Sequence, residues 1–489
     1  MRRPPISTPP ATRMRTVALA LAMTAAAMAA ACGGGETTGP DPVDNVPAAP
    51  TALAAVCGNQ TITLSWAAVT GAVSYNVNRS ASAGGTSAIT ANTTALTHTD
   101  GTGTVGTQYF YRITAINAEG TSLPSTEVSE TVCRLMGGAL QARVLTFTSA
   151  NATVSTFAGT SGFAGFIDAT GPAARFSLPQ GMTTDGTFMY VADYLNNVIR
   201  RINPATGAVT LFAGSTAGTS GSADGTGTAA RFLRPYDITS DGTSLFVTDY
   251  NNCTIRRIVI SSAAVTTLAG TVGACTNPVD GTGSAANFSS PQGITTDGTS
   301  LYVTENTSVR RIVIATGAVT TFAGSTNVTV GHVDGVGTAA RFNNLEGITT
   351  DGTNLYVVDQ AYNDVRKIVI ATATVSSMAG DFSGATAGSV DGTGAAAKFN
   401  KPFGITTDGT NLYIVEQYGN VIRKLVIASA VATTLAGTAN TNGNPGITGT
   451  TDGIGVAARF SAPQGITIYC GSLYIGDTSN GSIRRIRQS

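Results

Sequence analysis

Acidic side chains recur at a regular spacing through the C-terminal two-thirds of this 489-residue chain. One series ends a short apolar run in each of six similar segments: Asp193, Asp249, Glu305, Asp359, Glu416 and Asp477. A second series opens a glycine-containing loop in the same segments: Asp168, Asp224, Asp280, Asp334, Asp391 and Asp452. Carboxylates are good ligands for Ca²⁺, but that ion takes about six or more oxygens and each loop supplies one carboxylate. The sixfold recurrence therefore favours a structural role over a ring of cation sites.

The structural role can be stated for each series. We expect each acid of the first series to cap its own turn or to pair with an arginine of the strand that follows. We expect each loop aspartate to fold its loop and to pair with an arginine near the loop's end. Those arginines are Arg175, Arg231, Arg341 and Arg459. Asn287 and Lys398 take that position in the other two segments, so this pairing cannot hold in every copy.

The six segments are near-copies of one unit. Each contains an apolar residue followed by Ala-Gly, and the glycines stand at 159, 214, 270, 324, 380 and 437, which gives steps of 55, 56, 54, 56 and 57 residues. One copy alternates apolar and polar residues over Pro291–Thr296, Leu301–Glu305, Val309–Ile314 and Ala318–Phe322, with glycine-containing turns after the first and third runs. The pattern predicts four antiparallel strands per copy. Such small sheets bury both faces only when they stack around an axis, as in a β-propeller.

The motifs of each copy are Pro-x-Gly-Ile, Leu-Tyr-Val-x-Asp/Glu, Ile-Arg-Arg-Ile and Val-x-x-Phe-Ala-Gly. On these motifs the region from Ala150 to Arg487 resembles the NHL repeat family of β-propellers. The last copy ends after its third strand, at Arg487, and Thr153–Phe157 offers the strand that this copy lacks. We therefore predict an all-β chain, in which a small β-sandwich precedes a six-bladed propeller over residues 151–489. The N-terminal strand of that propeller completes the last blade.

The alternation of apolar and polar residues over 46–134 predicts the β-sandwich. Thr61–Trp66 and Tyr109–Ala115 alternate with period two, and glycines separate the runs. With Pro50 and Leu53 at the entry, Trp66 and Tyr75 on early strands, and the Tyr109-x-Tyr-x-Ile motif, this stretch resembles a fibronectin type III domain. Residues 135–150 then read as a linker with a lead-in strand.

The N-terminal region predicts export. Arg13 and Arg15 precede an Ala-rich apolar run over Thr16–Ala31, which is typical of a signal peptide spanning residues 1–31. The sequence Ala-Ala-Ala-Cys32-Gly resembles a bacterial lipoprotein signal, which implies lipidation of Cys32 and attachment to a membrane through that anchor alone; ordinary secretion with a free Cys32 is the alternative. Residues 32–45 then form a flexible tether. We expect a cell-envelope protein exposed to the periplasm or the cell surface.

Export permits disulfides. Cys57 and Cys133 bracket the predicted sandwich, and we expect them to pair. Cys253 lies in the turn between the second and third strands of one copy and Cys275 in the link that leaves it, so both fall on one face of one blade and can pair. Cys470 is left over as a buried free thiol.

The copies differ where the innermost strand begins, beside the expected channel mouth. The residues at this position are Gln180, Tyr236, Gln292, Glu346, Phe403 and Gln464. In the second copy Asp237 also replaces the glycine that follows in the other five. Amides, aromatic rings and acids together could bind a peptide or a sugar, so these seven residues are the ligand-binding candidates. The alternative is a solvated rim without a ligand.

Composition limits the function. The formal net charge is zero and only 11% of residues are charged, which argues against a nucleic-acid partner. His332 is the one histidine of the propeller region, so neither the several-histidine zinc site of amidating lyases related to NHL proteins nor a Ser-His-Asp triad can be built there. We predict a monomeric, non-catalytic protein that binds a cell-surface protein or glycan without a cofactor or metal. The alternatives are a calcium-dependent hydrolase or lyase with its site at the channel mouth, and a purely architectural propeller.

Overall fold

The computed structural model describes residues 45–136, 139–141, 145–326, 329–383 and 386–488, without the side chains of 134–136 and 139–141. The predicted signal peptide and Cys32 lie outside the described residues, as does the tether except Asn45. Regular structure in the described part of the chain consists of β-strands and 3₁₀ turns. No helix there has the length and apolar character needed to span a membrane.

The N-terminal module is a sandwich of two antiparallel sheets. One sheet contains Ala54–Gly58, Thr61–Ser65 and Thr97–Asp100. The other contains Ser74–Ser80, Ala88–Thr93, Gln108–Ile116 and Val128–Thr131. Alternate residues of Thr61–Ser65 and Gln108–Ile116 face the space between the sheets, where the Trp66 ring packs edge-on against Tyr75 at 5.6 Å between centroids. The module is the predicted β-sandwich, with the single tryptophan in its core.

Six further sheets form the blades of the propeller. From the innermost strand outward, blade 1 contains Pro179–Thr184, Met189–Asp193, Val198–Ile202 and Ala208–Ala213. Blade 2 contains Pro235–Ser240, Ser244–Asp249, Thr254–Val259 and Ala264–Ala269. Blade 3 contains Ile294–Thr296, Ser300–Glu305, Ser308–Val313 and Ala318–Gly324. Blade 4 contains Leu345–Thr350, Asn354–Asp359, Asp364–Val369 and Thr374–Gly380. Blade 5 contains Pro402–Thr407, Asn411–Glu416, Val421–Val426 and Val431–Ala436. Blade 6 contains Ile466–Tyr469, Ser472–Asp477, Ser482–Gln488 and Ala152–Ala158.

A two-residue strand from the loop that precedes each blade's inner strand adds an outer edge to that blade. These strands are Ala169–Thr170, Gly225–Thr226, Gly281–Thr282, Gly335–Val336, Gly392–Thr393 and Gly453–Ile454. A 3₁₀ turn follows each: Gly171–Ala173, Gly227–Ala229, Gly283–Ala285, Gly337–Ala339, Gly394–Ala396 and Gly455–Ala457. Three more 3₁₀ turns, Tyr194–Asn196, Tyr250–Asn252 and Thr478–Asn480, join the second and third strands of blades 1, 2 and 6.

The ring closes as predicted. Ala152–Ala158 pairs antiparallel with Ser482–Gln488, so that the first strand of the propeller is the outer strand of the last blade. The preceding segment, for which the repeat pattern offers no place, also joins blade 6. There Arg134–Met136 and Ala139–Gln141 form a hairpin, and Leu140 pairs in parallel with Tyr469 of the inner strand. Leu145 then packs into the core that blades 5 and 6 share.

Each blade is held by one buried arginine on its third strand: Arg200, Arg256, Arg310, Arg366, Arg423 and Arg484. In blade 2 the Arg256 guanidinium lies 2.8 Å from Asp249 at the end of the second strand and 2.7 Å from Asp224 of the long loop. The same guanidinium lies 5.2 Å above the ring of Phe232. Burial of such a charge is tolerated because carboxylates, carbonyls and an aromatic face surround it.

Both acidic series therefore have a structural partner. The acids of the first series end the second strand of each blade, and we call them the strand-end acids. They pair with the third-strand arginine in every blade except blade 4, where no ion pair between Asp359 and Arg366 occurs among the described residues. The predicted pairing of the loop aspartates with Arg175, Arg231, Arg341 and Arg459 is wrong. These arginines turn back onto backbone carbonyls of their own 3₁₀ turns, while the loop aspartates bind the buried third-strand arginines.

The cysteines differ in part from the prediction. Cys253 and Cys275 form a disulfide, the pair that the repeat geometry places on one face of blade 2. Cys57, however, is joined to Cys470, and Cys133 is the buried free thiol. The predicted Cys57–Cys133 pair is wrong because the sandwich packs against blade 6, where the Tyr469 hydroxyl lies 3.4 Å from the Cys57 carbonyl oxygen. That contact brings Cys470, in a hairpin turn of blade 6, beside Cys57.

Candidate binding site at the channel mouth

The inner strands approach one another closely around the propeller axis. A Cβ atom on Gly465 would lie only 1.9 Å from the Gln180 carbonyl oxygen, and one on Gly404 only 2.1 Å from that of Gln464. Glycine at this position in five blades is thus required by the contact between neighbouring inner strands. The result is a narrow channel, with the variable residues just before the glycines at its mouth.

Tyr236 of blade 2 closes this mouth. Its ring stacks on Tyr250 with centroids 5.0 Å apart and packs against Phe403 of blade 5 at 5.8 Å. Tyr194 of blade 1 meets the same ring edge-on at 6.0 Å. Phe403 is itself buried, while Tyr236 keeps partial exposure. Four aromatic side chains from blades 1, 2 and 5 thus form one cluster over the channel, which we call the aromatic cap.

Glu346 of blade 4 anchors the cap from the other side. The Tyr236 hydroxyl donates a 2.7 Å hydrogen bond to Glu346 Oε2, and Asn344 Nδ2 donates a 3.3 Å bond to Oε1. Burial raises the pKa of Glu346 to about 8, because these two neutral donors and the nearby Lys401 only partly replace lost hydration. Burial likewise raises the pKa of Tyr236.

Asp237 lies deeper, at the level of the glycine ring. Its carboxylate accepts the backbone N–H of Ile238 at 2.8 Å and that of Ile294 in blade 3 at 2.9 Å, so it bridges two inner strands. A Cβ on Gly181 would approach Asp237 Oδ1 to 2.1 Å, which explains why the neighbouring blade carries no side chain there. Burial raises the pKa of Asp237 to about 7.

The three glutamines complete the ring of mouth residues. Gln180, Gln292 and Gln464 are 6%, 4% and 8% exposed, and their Oε1 atoms accept no hydrogen bond from the described residues. Gln464 lines the channel cavity together with Tyr236, Asp237 and Phe403. A buried amide oxygen without a protein partner usually binds water or a ligand, so the site keeps unused acceptors beneath its cap.

The free space in the channel is small. A cavity of about 40 Å³ lies under the cap, and one of about 30 Å³ lies further along the axis, with Asp237 on the wall of both. Such volumes hold single waters, so the channel has no room for a substrate while Tyr236 stays in place. The mouth carboxylates also lack a third acidic partner, since Cys57, Cys133 and Cys470 are the only potential metal-ligating group of three or more among the described residues.

Sequence reasoning placed all seven candidate residues at the mouth but missed two members of the cap. Tyr194 and Tyr250 directly follow the strand-end acids of blades 1 and 2. A comparison of the copies at that position would have found them, because the other copies have Asn306, Gln360, Gln417 and Thr478 there. Arg234 also belongs to the rim, since its guanidinium lies 5.5 Å from the centre of the Tyr194 ring.

No family model matches the chain. It is 30% identical over 138 residues to NHL repeat-containing protein 2 of Homo sapiens, which is 27% of this chain and 18% of that protein. It is 41% identical over 88 residues to an amylopullulanase of Thermoanaerobacter thermohydrosulfuricus, which is 18% of this chain and 6% of that enzyme. The chain therefore spans less than a fifth of the length of either relative.

Among solved structures, an auxiliary nutrient binding protein from Bacteroides thetaiotaomicron VPI-5482 resembles most of the fold. The two share 17% sequence identity with a TM-score of 0.52, over 91% of this chain and 98% of that one. At this identity the likeness concerns the fold alone. Together with the NHL-type match it agrees with the architecture above: this chain is an all-β protein built on a β-propeller, distantly similar to NHL repeat proteins.

Proposed function

We propose that this chain is a lipid-anchored protein of the bacterial cell envelope whose propeller binds a protein or glycan partner at the channel mouth, without catalysis. The aromatic cap carries the proposal. Tyr194, Tyr236, Tyr250 and Phe403 come from three blades, and aromatic side chains with one polar end are enriched where proteins recognise partners.

The closed channel supports binding over catalysis. Cavities of about 40 and 30 Å³ admit waters and not a substrate. The partner would therefore contact the cap and rim from above, where Arg234 is exposed and Tyr250 is partly exposed. A binding role is compatible with the fold, since a nutrient binding protein has a similar one.

The binding test uses the purified protein to capture surface components from intact bacterial cells. We expect capture to fall at least about tenfold in Tyr250→Ala, since truncating an aromatic residue central to an interface typically costs about 2 kcal/mol or more. Phe163→Ala is the matched control, because Phe163 is an exposed aromatic residue (62%) outside the cap. Equal capture by both variants would rule out the cap as the binding surface.

The anchor is tested separately. In cells, the wild-type chain should fractionate with membranes, and Cys32→Ser should move it to the soluble fraction, because a lipid chain is the source of attachment. An unchanged distribution would reject lipidation at Cys32 and would leave the proposal of binding at the channel mouth untouched.

The raised pKa values of Asp237 and Glu346 favour one second candidate, a carboxylate-based hydrolase or lyase at the mouth. Metal analysis of the purified protein and a screen for glycan and peptide hydrolysis test it. Bound calcium that disappears in Glu346→Ala or Asp237→Ala, together with lost hydrolysis, would replace the binding proposal.

A further inference from the structure

Two cationic residues stand at equivalent places on the rim of the channel mouth. Arg234 and Lys401 each lie two positions before a mouth residue, which is Tyr236 in blade 2 and Phe403 in blade 5. Blades 2 and 5 are opposite each other in a ring of six, and the rings of Tyr236 and Phe403 meet with centroids 5.8 Å apart. The two cations therefore flank the aromatic cap from opposite sides.

The backbone of both residues is fixed by the preceding blade. The Arg234 N–H donates to Asn197 Oδ1 of blade 1 at 2.9 Å, and the Lys401 N–H donates to Asn363 Oδ1 of blade 4 at 2.9 Å. Both residues have a left-handed φ, of 58° and 53°. The other four blades have a left-handed φ at the same position, at Leu178, Ser290, Asn344 and Ala462. This conformation favours glycine and asparagine, so the local fold does not explain a long cationic side chain there.

Neither cation has an acidic partner in the described part of the chain. A guanidinium nitrogen of Arg234 lies 3.5 Å from the Tyr194 hydroxyl oxygen, and Lys401 Nζ lies 3.5 Å from the Gln360 carbonyl oxygen. Arg234 is exposed and Lys401 is partly exposed. The rim thus presents two positive charges that no ion pair neutralises.

The acids around the mouth lie beneath these charges. The strand-end acids are at most 1% exposed. Glu346 is 4% exposed and accepts the Tyr236 hydroxyl, and burial raises its pKa to about 8, so it keeps its proton in mildly acidic solution. The Asp237 carboxylate is bonded to backbone N–H groups of two inner strands under the cap. A negatively charged partner that approaches from above would therefore meet the two cations first.

The aromatic cap suits a protein partner better than a glycan. A sugar ring packs its C–H groups on an open aromatic face, which carries the negative end of the ring quadrupole. The Tyr236 ring, however, packs on Tyr250 at an interplanar angle of 21° and on Phe403 at 32°, so its faces are used within the protein. The Arg234 guanidinium covers the Tyr194 ring at 5.5 Å. Tyrosine hydroxyls beside an arginine are the groups typical of protein–protein interfaces.

We propose that the channel mouth docks an acidic segment of a partner protein, whose aspartate or glutamate side chains pair with Arg234 and Lys401 on the two sides of the cap. This inference rests on the proposed binding role of the mouth and narrows its partner from a protein or glycan to an acidic protein. Complementary charges on two surfaces steer their association and fix the orientation of the complex.

The test measures binding of poly-L-glutamate to the full protein by biolayer interferometry at a pH of about 6, where the probe is ionised. We expect binding that weakens at least about fivefold when NaCl is raised from about 0.05 to 0.3 M, because salt screens exposed charges. Polygalacturonate carries carboxylates on a sugar and should bind at least about fivefold more weakly than poly-L-glutamate, since the cap lacks an open ring face. Absence of poly-L-glutamate binding, or tighter binding of polygalacturonate, overturns the proposal.

A charge-matched pair of double variants locates the binding. Arg234→Gln with Lys401→Gln should weaken poly-L-glutamate binding at least about fivefold, as expected for the loss of two partly exposed ion pairs. Arg231→Gln with Lys398→Gln is the control, because these residues stand three positions earlier in the long loops of the same blades and remove the same charge. The control should bind the probe as the wild type does. Equal loss in both double variants would mean that net charge attracts the probe, and would overturn the assignment to the rim.

Capture of surface components from intact bacterial cells separates this inference from the proposed function. An acidic protein at the mouth requires loss of capture both in Tyr250→Ala and in Arg234→Gln with Lys401→Gln. Loss in Tyr250→Ala alone would keep the mouth as the binding surface and overturn the acidic partner. Unchanged capture in all of these variants would reject the mouth itself.

Discussion

Tyr236 reaches across the propeller axis to Glu346, and its hydroxyl donates a 2.7 Å hydrogen bond to Glu346 Oε2. The two residues belong to blades 2 and 4, so the bond joins two blades that are not neighbours in the ring. Burial raises the pKa of Glu346, and the hydrogen bond from Tyr236 offsets only part of that effect. Loss of the Glu346 proton therefore leaves a buried charge that the Tyr236 hydroxyl stabilises only in part.

Glu346→Gln should change how stability depends on pH. The pKa of Glu346 is about 8 in the folded protein, above its ordinary value of 4.5, so the folded state binds this proton more tightly than the unfolded state. The wild type therefore loses stability as pH rises from about 4.5 to 8. One pKa unit corresponds to about 1.4 kcal/mol, so we expect Glu346→Gln to show a flatter curve of unfolding free energy, by roughly 2–4 kcal/mol across this range.

Urea denaturation of both proteins at pH 5, 7 and 9 gives the comparison. Other buried acids such as Asp237 titrate in the wild type and the variant alike, so the difference between the two curves isolates Glu346. Parallel curves would show that Glu346 has an ordinary pKa and that the cap does not bury it.

The buried arginines should matter far more to stability than the partly buried arginines beside them. Arg256→Met leaves Asp249 buried without its 2.8 Å ion-pair partner, and breaking a buried pair from one side typically costs about 3–5 kcal/mol. Arg257→Met is the matched control one residue away. Arg257 is only partly buried and contacts Ser244 Oγ at 3.0 Å, so we expect a loss within about 1 kcal/mol.

Chemical denaturation monitored by tyrosine fluorescence measures both variants. Similar losses for Arg256→Met and Arg257→Met would mean that the two-carboxylate clamp adds nothing to the blade beyond an ordinary surface contact.

The sequence carries enough information to predict the fold because the repeat states each element six times. Alternation with period two defines the strands, and the missing fourth strand of the last copy identifies Ala152–Ala158 as its replacement. The strand-end acids were also predictable in kind, since an acid and an arginine at fixed offsets in each copy suggest a pair. The sequence could not show which arginine binds the loop aspartate of a blade. Arg175 and Arg200 are both at fixed offsets from Asp168, and only the folded blade determines that Arg200 is the buried one.

Contacts between modules could not be read from the repeats. Cys57 and Cys470 are 413 residues apart and meet only because the sandwich packs on blade 6. The mouth was predicted as a set of seven residues, but its closure depends on the reach of one side chain, Tyr236, over the axis. Neither spacing nor residue type specifies that direction.

Cys470→Ser should redirect the disulfide of the sandwich. The Sγ atoms of Cys57, Cys133 and Cys470 all lie within 4.8 Å of one another, so Cys133 can replace Cys470 as the partner of Cys57. We expect peptide mapping by mass spectrometry to find a Cys57–Cys133 link in this variant after expression in an oxidising compartment. Cys133→Ser is the control and should retain the Cys57–Cys470 link.

Free thiols at both Cys57 and Cys133 in Cys470→Ser would contradict this prediction. They would mean that the backbone of the sandwich holds these two sulfur atoms in directions that do not permit a bond.

Asp359→Asn should stabilise the protein at alkaline pH. Asp359 pairs directly opposite Asp364 on the neighbouring strand of blade 4, and burial together with this second carboxylate raises the pKa of Asp359 to about 8. The wild type therefore loses stability as pH rises from about 4 to 8. Asparagine does not titrate, so the variant does not lose this part of its stability. We expect the melting temperature of the variant to exceed that of the wild type at pH 9, and the two to converge near pH 4.

Asp351→Asn, in the same blade, provides a control of opposite sign. Backbone and side-chain donors hold the pKa of Asp351 below its ordinary value, so its ionised form stabilises the protein above about pH 4, and the substitution should lower the melting temperature at pH 9. A lower melting temperature of Asp359→Asn at pH 9 would contradict the prediction. It would mean that Asp359 is charged and favourably paired at that pH, and that Asp359 and Asp364 do not repel each other.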